Sequence, residues 1–140
     1  MSSESLAEYR LCAFVTTMVY VLNARSGIAV GKAREKYKVP VPLTKGPVEF
    51  ERAFRAHCNN AEQYPQFLAC MWVFAVFVNA TIAGIMGMFW IVMRHLYVTE
   101  YHKGGENLGR YTIPAYHCLS ILSLGIIISV VYGFVRDLIK

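Results

Sequence analysis

Four apolar windows, parted by short charged segments, leave this chain few ways to fold. They run from about 11 to 31, 65 to 78, 80 to 101 and 114 to 135. The 140-residue chain is 56% hydrophobic and 16% charged, whereas an ordinary soluble domain is about 25% charged. The charge deficit sits in the windows, which is the pattern of a polytopic membrane protein. Backbone polar groups in lipid must be satisfied within the segment, so the windows are expected to be helices. The expected fold class is an all-α membrane protein, a four-transmembrane-helix bundle, with residues 1–140 forming one domain.

The second window, "PQFLACMWVFAVFV", falls short of the roughly 20 residues a span needs. It becomes long enough only if its helix begins earlier, inside the charged stretch "VEFERAFRAHCNNAEQYPQF" at 48–67. Residues 32–48, "KAREKYKVPVPLTKGPV", read as a basic loop punctuated by Pro40, Pro42 and Pro47. Between Val78 and Thr81 there is room for little more than a turn, and 102–112, "HKGGENLGRYT", reads as a glycine-rich loop. Lysines and arginines crowd the first and third loops and their flanks, from Lys32 to Arg55 and at Arg94, Lys103 and Arg110. Those loops are therefore expected on the cytoplasmic side and both termini opposite. The segment Met1 to Arg10 has neither a basic n-region nor a small-residue cleavage site, so the first span is expected to serve as its own insertion signal.

The net charge of +5 comes with no basic stripe interleaved with aromatics, which speaks against a nucleic-acid partner. Cys12, Cys58, Cys70 and Cys118 show no CxxC or CxxH spacing. They are expected to be reduced and structural, and no metal site is expected.

On a helix over 49–78, Arg52, Arg55, Asn59 and Glu62 share an arc of about 80°. Glu51 borders the arc four residues before Arg55, a pairing distance on a helix surface. A solvated helix end accounts for Glu49, Glu51 and Arg52. It does not account for Asn59 and Glu62, which lie within a turn of Pro65 and the apolar run; ionisable groups at that depth usually face a bundle interior. His57 points to the far side. On the third helix Arg94, Tyr97 and Tyr101 recur at spacings of three and four on one face, level with the stripe. Arginine forks suit carboxylates, and Glu62 suits an ammonium. Such a face fits an amino acid or small peptide, with a hydrophobic partner arriving from lipid. Asn23 and Arg25 in the first window have no part in this reading.

The stretch "GPVEFERAFRAHCNNAEQYPQF" resembles the signature of the MAPEG family, membrane-associated proteins in eicosanoid and glutathione metabolism. Gly46, Phe50, Glu51, Arg52, Phe54, Ala56 and Asn59 match that signature, and Ala53, His57 and Asn60 depart from it. "KAREKYKVPVP" and "RHLYVTEY" are similar to the microsomal glutathione transferase and leukotriene C synthase branch, types two and three of the microsomal transferases above all. The resemblance covers essentially the whole chain. It implies a homotrimer in an intracellular membrane, the endoplasmic reticulum in a eukaryote, with glutathione as co-substrate at each subunit interface. By position, Arg55, Asn59, Glu62, Gln63, Arg94, Tyr97 and Tyr101 would hold the tripeptide, and Arg34 and His57 would come from the neighbouring subunit.

The thiol-activating arginine of the family falls at Arg110, two residues further past Tyr101 than the family pattern. Glu35 stands where leukotriene C synthase carries a second arginine, which points to a broader transferase or peroxidase acting on lipid or other hydrophobic electrophiles. Two rivals stand beside that reading. One is a non-catalytic lipid-presenting protein like the 5-lipoxygenase-activating proteins; the other, weaker, is a small transporter.

Overall fold

The computed structural model describes residues 6–140. The expectation about a leader falls partly on residues 1–5, which lie outside those described. Among the described residues four long helices follow one another: α1 (Arg10–Tyr37), α2 (Val48–Phe77), α3 (Ala80–Lys103) and α4 (Gly109–Leu138). At 1.5 Å per residue they are about 36 to 45 Å long, against a hydrocarbon core of about 30 Å. Three of them, α1, α3 and α4, are both long and apolar enough to cross a membrane.

α1 and α4 run further than the apolar windows suggest. α1 continues through Lys32–Tyr37, a segment expected to be loop. Nothing there breaks a helix before Pro40, and Ala33, Arg34, Glu35 and Lys36 all favour one. The helix stops at Lys38, whose left-handed φ of 55° turns its N–H back onto the Arg34 and Glu35 carbonyls. α4 starts at Gly109, five residues before the expected Pro114, which lies within the helix. Proline there leaves the Arg110 carbonyl without its i+4 donor. α2 does begin inside the charged stretch, as its short apolar window requires, and carries Pro65 internally.

α2 and α3 are the centre of the bundle. They are joined through Val78 and Asn79, whose side chain accepts from the Ile82 N–H at 2.8 Å. α1 packs against one side of this hairpin and α4 against the other. The buried core draws Val15 and Val19 from α1, Phe67 and Met71 from α2, Trp90 from α3, and Leu122 from α4. Phe67 and Trp90 stack at 3.9 Å. All four cysteines are free, and the buried thiols of Cys12 and Cys118 donate to the Ala80 and Met86 carbonyls. α4 buries only Ala115, Cys118 and Leu122, so most of its apolar surface faces outward.

The α1–α3 contact relies on two glycines. A Cβ on Gly84 would lie 2.6 Å from Leu11, and one on Gly87 would lie 2.9 Å from Val15 and 3.0 Å from the Met71 sulfur. Gly133 on α4 has no neighbour within 4 Å. Gly87→Leu is expected to destabilise the fold by about 1–3 kcal/mol through overpacking. Gly133→Leu is expected to stay within about 0.5 kcal/mol of the parent. Thermal unfolding in detergent distinguishes the two.

Candidate functional site

The apolar stripe of α2 runs through Ala53, Ala56, Asn60, Tyr64, Phe67 and Met71, all buried, at spacings of three and four. That of α3 runs through Ala83, Gly87, Trp90, Arg94 and Tyr97. Each stripe contains one strongly polar intruder, and the fold sets the two face to face. Arg94 is 1% exposed and Asn60 likewise 1%. The Arg94 Nε donates to Asn60 Oδ1 at 2.9 Å, and Nη2 donates to Asn60 Oδ1 and to Asn59 Oδ1, the latter at 2.9 Å. The guanidinium also lies 4.3 Å from the Tyr97 ring centroid and 5.8 Å from that of Trp90. Hydrogen bonds to a charged group contribute about 1.5–3 kcal/mol each, and the aromatic faces add to this.

Around this clamp the structure gathers much of the expected set. Asn59 is held by Arg94. Tyr97 and Tyr101 meet edge to face at 5.6 Å. Gln63 Nε2 donates to the Tyr116 hydroxyl at 2.9 Å, which ties α2 to α4. Together these side chains form a polar cluster on the α4 side of the α2–α3 hairpin. Arg55 and Glu62 are exposed on the same helix, and neither forms an ion pair among the described residues. The expected Glu51–Arg55 pair is not made; Glu51 Oε1 instead accepts from the Gly46 N–H at 3.0 Å and anchors the loop before α2. Arg110 is the second residue of α4, exposed, with no hydrogen bond to its guanidinium among the described residues.

Two expected residues lie elsewhere. Arg34 directs Nη1 at the Leu43, Pro40 and Val39 carbonyls, at 2.7, 3.3 and 3.5 Å, and rests 5.0 Å from the Phe50 ring centroid. Within one subunit it pins the first loop over the end of α1. His57 turns towards α1, with Nδ1 2.8 Å from Ser26 Oγ. Ser26 already donates its hydroxyl proton to the Asn23 carbonyl at 2.9 Å. With that hydroxyl proton on the Asn23 carbonyl, the Nδ1–H tautomer of His57 completes the pair.

Sequence reasoning missed Asn60 and Tyr116. Asn60 carried a usable signal, since it interrupts an otherwise apolar stripe. Tyr116 carried none, because its partner lies 53 positions away in sequence.

Asn60→Leu removes the acceptor that receives two Arg94 nitrogens. A loss of about 2–3 kcal/mol in stability is expected. Asn60→Leu combined with Arg94→Met is expected to lose less than the sum of the two singles, because it leaves no unpaired charge buried. A double-mutant cycle of unfolding in detergent measures this.

The profile of the MAPEG family matches residues 12–130. Rat leukotriene C4 synthase is 38% identical over 100 residues, covering 71% of this chain and 67% of the relative. Human microsomal glutathione S-transferase 2 is 38% identical over 97 residues, covering 69% of this chain and 66% of the relative. The mouse protein of that name is 40% identical over 78 residues, 56% of this chain and 53% of its own length. The matched region takes in all of the cluster residues, and the chain belongs to the MAPEG family.

Proposed function

We propose that the chain is a membrane-bound glutathione transferase that activates the tripeptide as a thiolate and transfers it to a hydrophobic or lipid electrophile. The observation that carries this reading is the Arg94 clamp. It holds Asn59 and Tyr97 beside the Gln63–Tyr116 pair, in a chain whose relatives are named as a leukotriene C4 synthase and microsomal glutathione S-transferases. Residues 1–140 act as one domain. The second half of α2 is the remaining span, its polar first half lying at the membrane boundary. Loops one and three are cytoplasmic, and the membrane is the endoplasmic reticulum in a eukaryotic cell.

In this reading Arg55 and Asn59 receive the carboxylates of glutathione and Glu62 its ammonium. Gln63, Arg94, Tyr97 and Tyr101 line the peptide, and in a homotrimer Arg34 and His57 of a neighbouring copy complete the site. The exposed, unengaged state of Arg55, Glu62 and Arg110 supports this, since residues that meet a ligand need not be satisfied by their own chain.

Arg110 supplies the activation. A thiol titrates near 8.5, and lowering that by two units takes about 2.7 kcal/mol. A guanidinium free of other partners beside the sulfur provides it electrostatically. The sulfur lone pair then forms the new bond to an electrophilic carbon while the leaving group departs with the bonding pair. With a lipid hydroperoxide the thiolate attacks the distal oxygen, the O–O bond breaks and the lipid leaves as its alkoxide, which is protonated to the alcohol. A second glutathione then attacks the resulting sulfenic acid, forming the disulfide and releasing water.

Mixing detergent-purified protein with glutathione and following thiolate ultraviolet absorbance tests the assignment. Wild type is expected to form thiolate. Arg110→Ala is expected to bind glutathione but lose most of the thiolate signal, with conjugation at pH 7 falling about 25-fold, as the thiolate fraction drops from about three-quarters to about 3%. Arg55→Ala is expected to raise the KM for glutathione about tenfold or more. Binding without thiolate in the wild type would point instead to a lipid-presenting protein.

A further inference from the structure

The opposite side of the bundle holds a second polar feature that the glutathione reading leaves unused. Arg25, Lys32 and Lys36 recur on α1 at spacings of seven and four, with Ala29 between them, and so form one stripe. At about 100° per residue this stripe lies roughly 160–220° around the helix from Arg34. α3 faces it with His95, His102 and Lys103, and the two helices enclose a crevice of about 420 Å³ with Asn60 in its wall. Past Ala29 and His102 the crevice continues into a shallower pocket that adds Lys32 and Lys36, where Glu49 is the single carboxylate among the described lining residues.

Arg25 makes no ion pair among the described residues. It sits about 9 Å inside the apolar window of α1, on a helix apolar enough to cross a membrane, and a charge at such depth calls for a partner. The hydroxyls in the crevice wall cannot serve as donors. Ser26 and Thr99 already donate to the Asn23 and His95 carbonyls, at 2.9 and 3.0 Å. The groups left to meet a ligand are two cations, two imidazoles and the Asn60 amide, with Leu22, Ala29 and Val98 supplying an apolar wall.

We propose that the α1–α3 crevice binds a phosphate-bearing anion. Arg25 and Lys103 supply the charge, and His95 and His102 supply further hydrogen bonds. A phosphate offers enough oxygens to engage several convergent donors at once, where a carboxylate offers two. The crevice opens at the end of the bundle where α1 and α3 leave their apolar windows, which is headgroup level. This inference does not depend on glutathione chemistry.

Native mass spectrometry of the full-length protein in neutral detergent, with dioleoyl phosphatidic acid and dioleoyl phosphatidylcholine as probes, tests it. Wild type is expected to retain phosphatidic acid in preference to phosphatidylcholine. The double variant Arg25→Gln/Lys103→Gln is expected to weaken phosphatidic acid binding about 10- to 30-fold. Arg25→Lys, which keeps the charge, and Arg136→Gln, at the other end of the bundle, are expected to bind as wild type does. An unchanged size-exclusion profile and thermal unfolding midpoint in detergent certify that the double variant is folded; if it does not fold, the two single variants read in the same way decide. Displacement of the lipid by inorganic phosphate would identify a free phosphate as the ligand, and resistance to displacement would identify a lipid headgroup; both support the site. Equal retention of the two lipids, or undiminished phosphatidic acid binding by the folded variants, would overturn it.

Discussion

A guanidinium with 1% of its surface exposed has to find its partners inside the protein, and Arg94 finds them on α2. Three donor–acceptor contacts to Asn59 and Asn60 and two aromatic faces hold it. Leaving such a charge unpaired would cost several kcal/mol, so the requirement fixes the register of α2 against α3. A slip of either helix would separate the two polar intruders and set each against an apolar neighbour. Because α2 and α3 are also the helices against which α1 and α4 both pack, that register sets where every other polar side chain in the bundle lies.

The clamp divides the bundle into two polar regions. On the α4 side are Asn59, Gln63, Tyr97, Tyr101 and Tyr116, tied across helices by the Gln63–Tyr116 hydrogen bond. On the α1 side are Arg25, His95, His102 and Lys103. Asn60 touches both, since its Oδ1 accepts from Arg94 while the residue forms part of the crevice wall. The two regions differ in chemistry. The first is built of neutral amides and phenols around one buried guanidinium, which suits the polar backbone of a peptide. The second is cationic, which suits an anion alone.

Much of the architecture could be read from the sequence because apolar length and helical periodicity are local properties. The early start of α2 followed from the shortness of its apolar run, and the shared face of Arg94, Tyr97 and Tyr101 followed from spacing. The helix ends were harder. Hydropathy marks where lipid contact stops, whereas α1 continues through Lys32–Tyr37 until Lys38 takes a left-handed turn. Arg34 illustrates the limit for the candidate site: its charge was visible, but its use as a clamp on the first-loop carbonyls depends on a loop path that no local pattern encodes. Asn60 was visible only as a departure from a family motif, although its place in the apolar stripe of α2 marked it as the buried partner of some donor.

The most direct measurement is an experimental structure of the protein with glutathione bound. The tripeptide is expected against the polar cluster on the α4 side, with a carboxylate within hydrogen-bond distance of Arg55 or Asn59 and the sulfur directed at Arg110. Glutathione seated in the α1–α3 crevice instead, or contacting neither Arg55 nor Asn59, would contradict it.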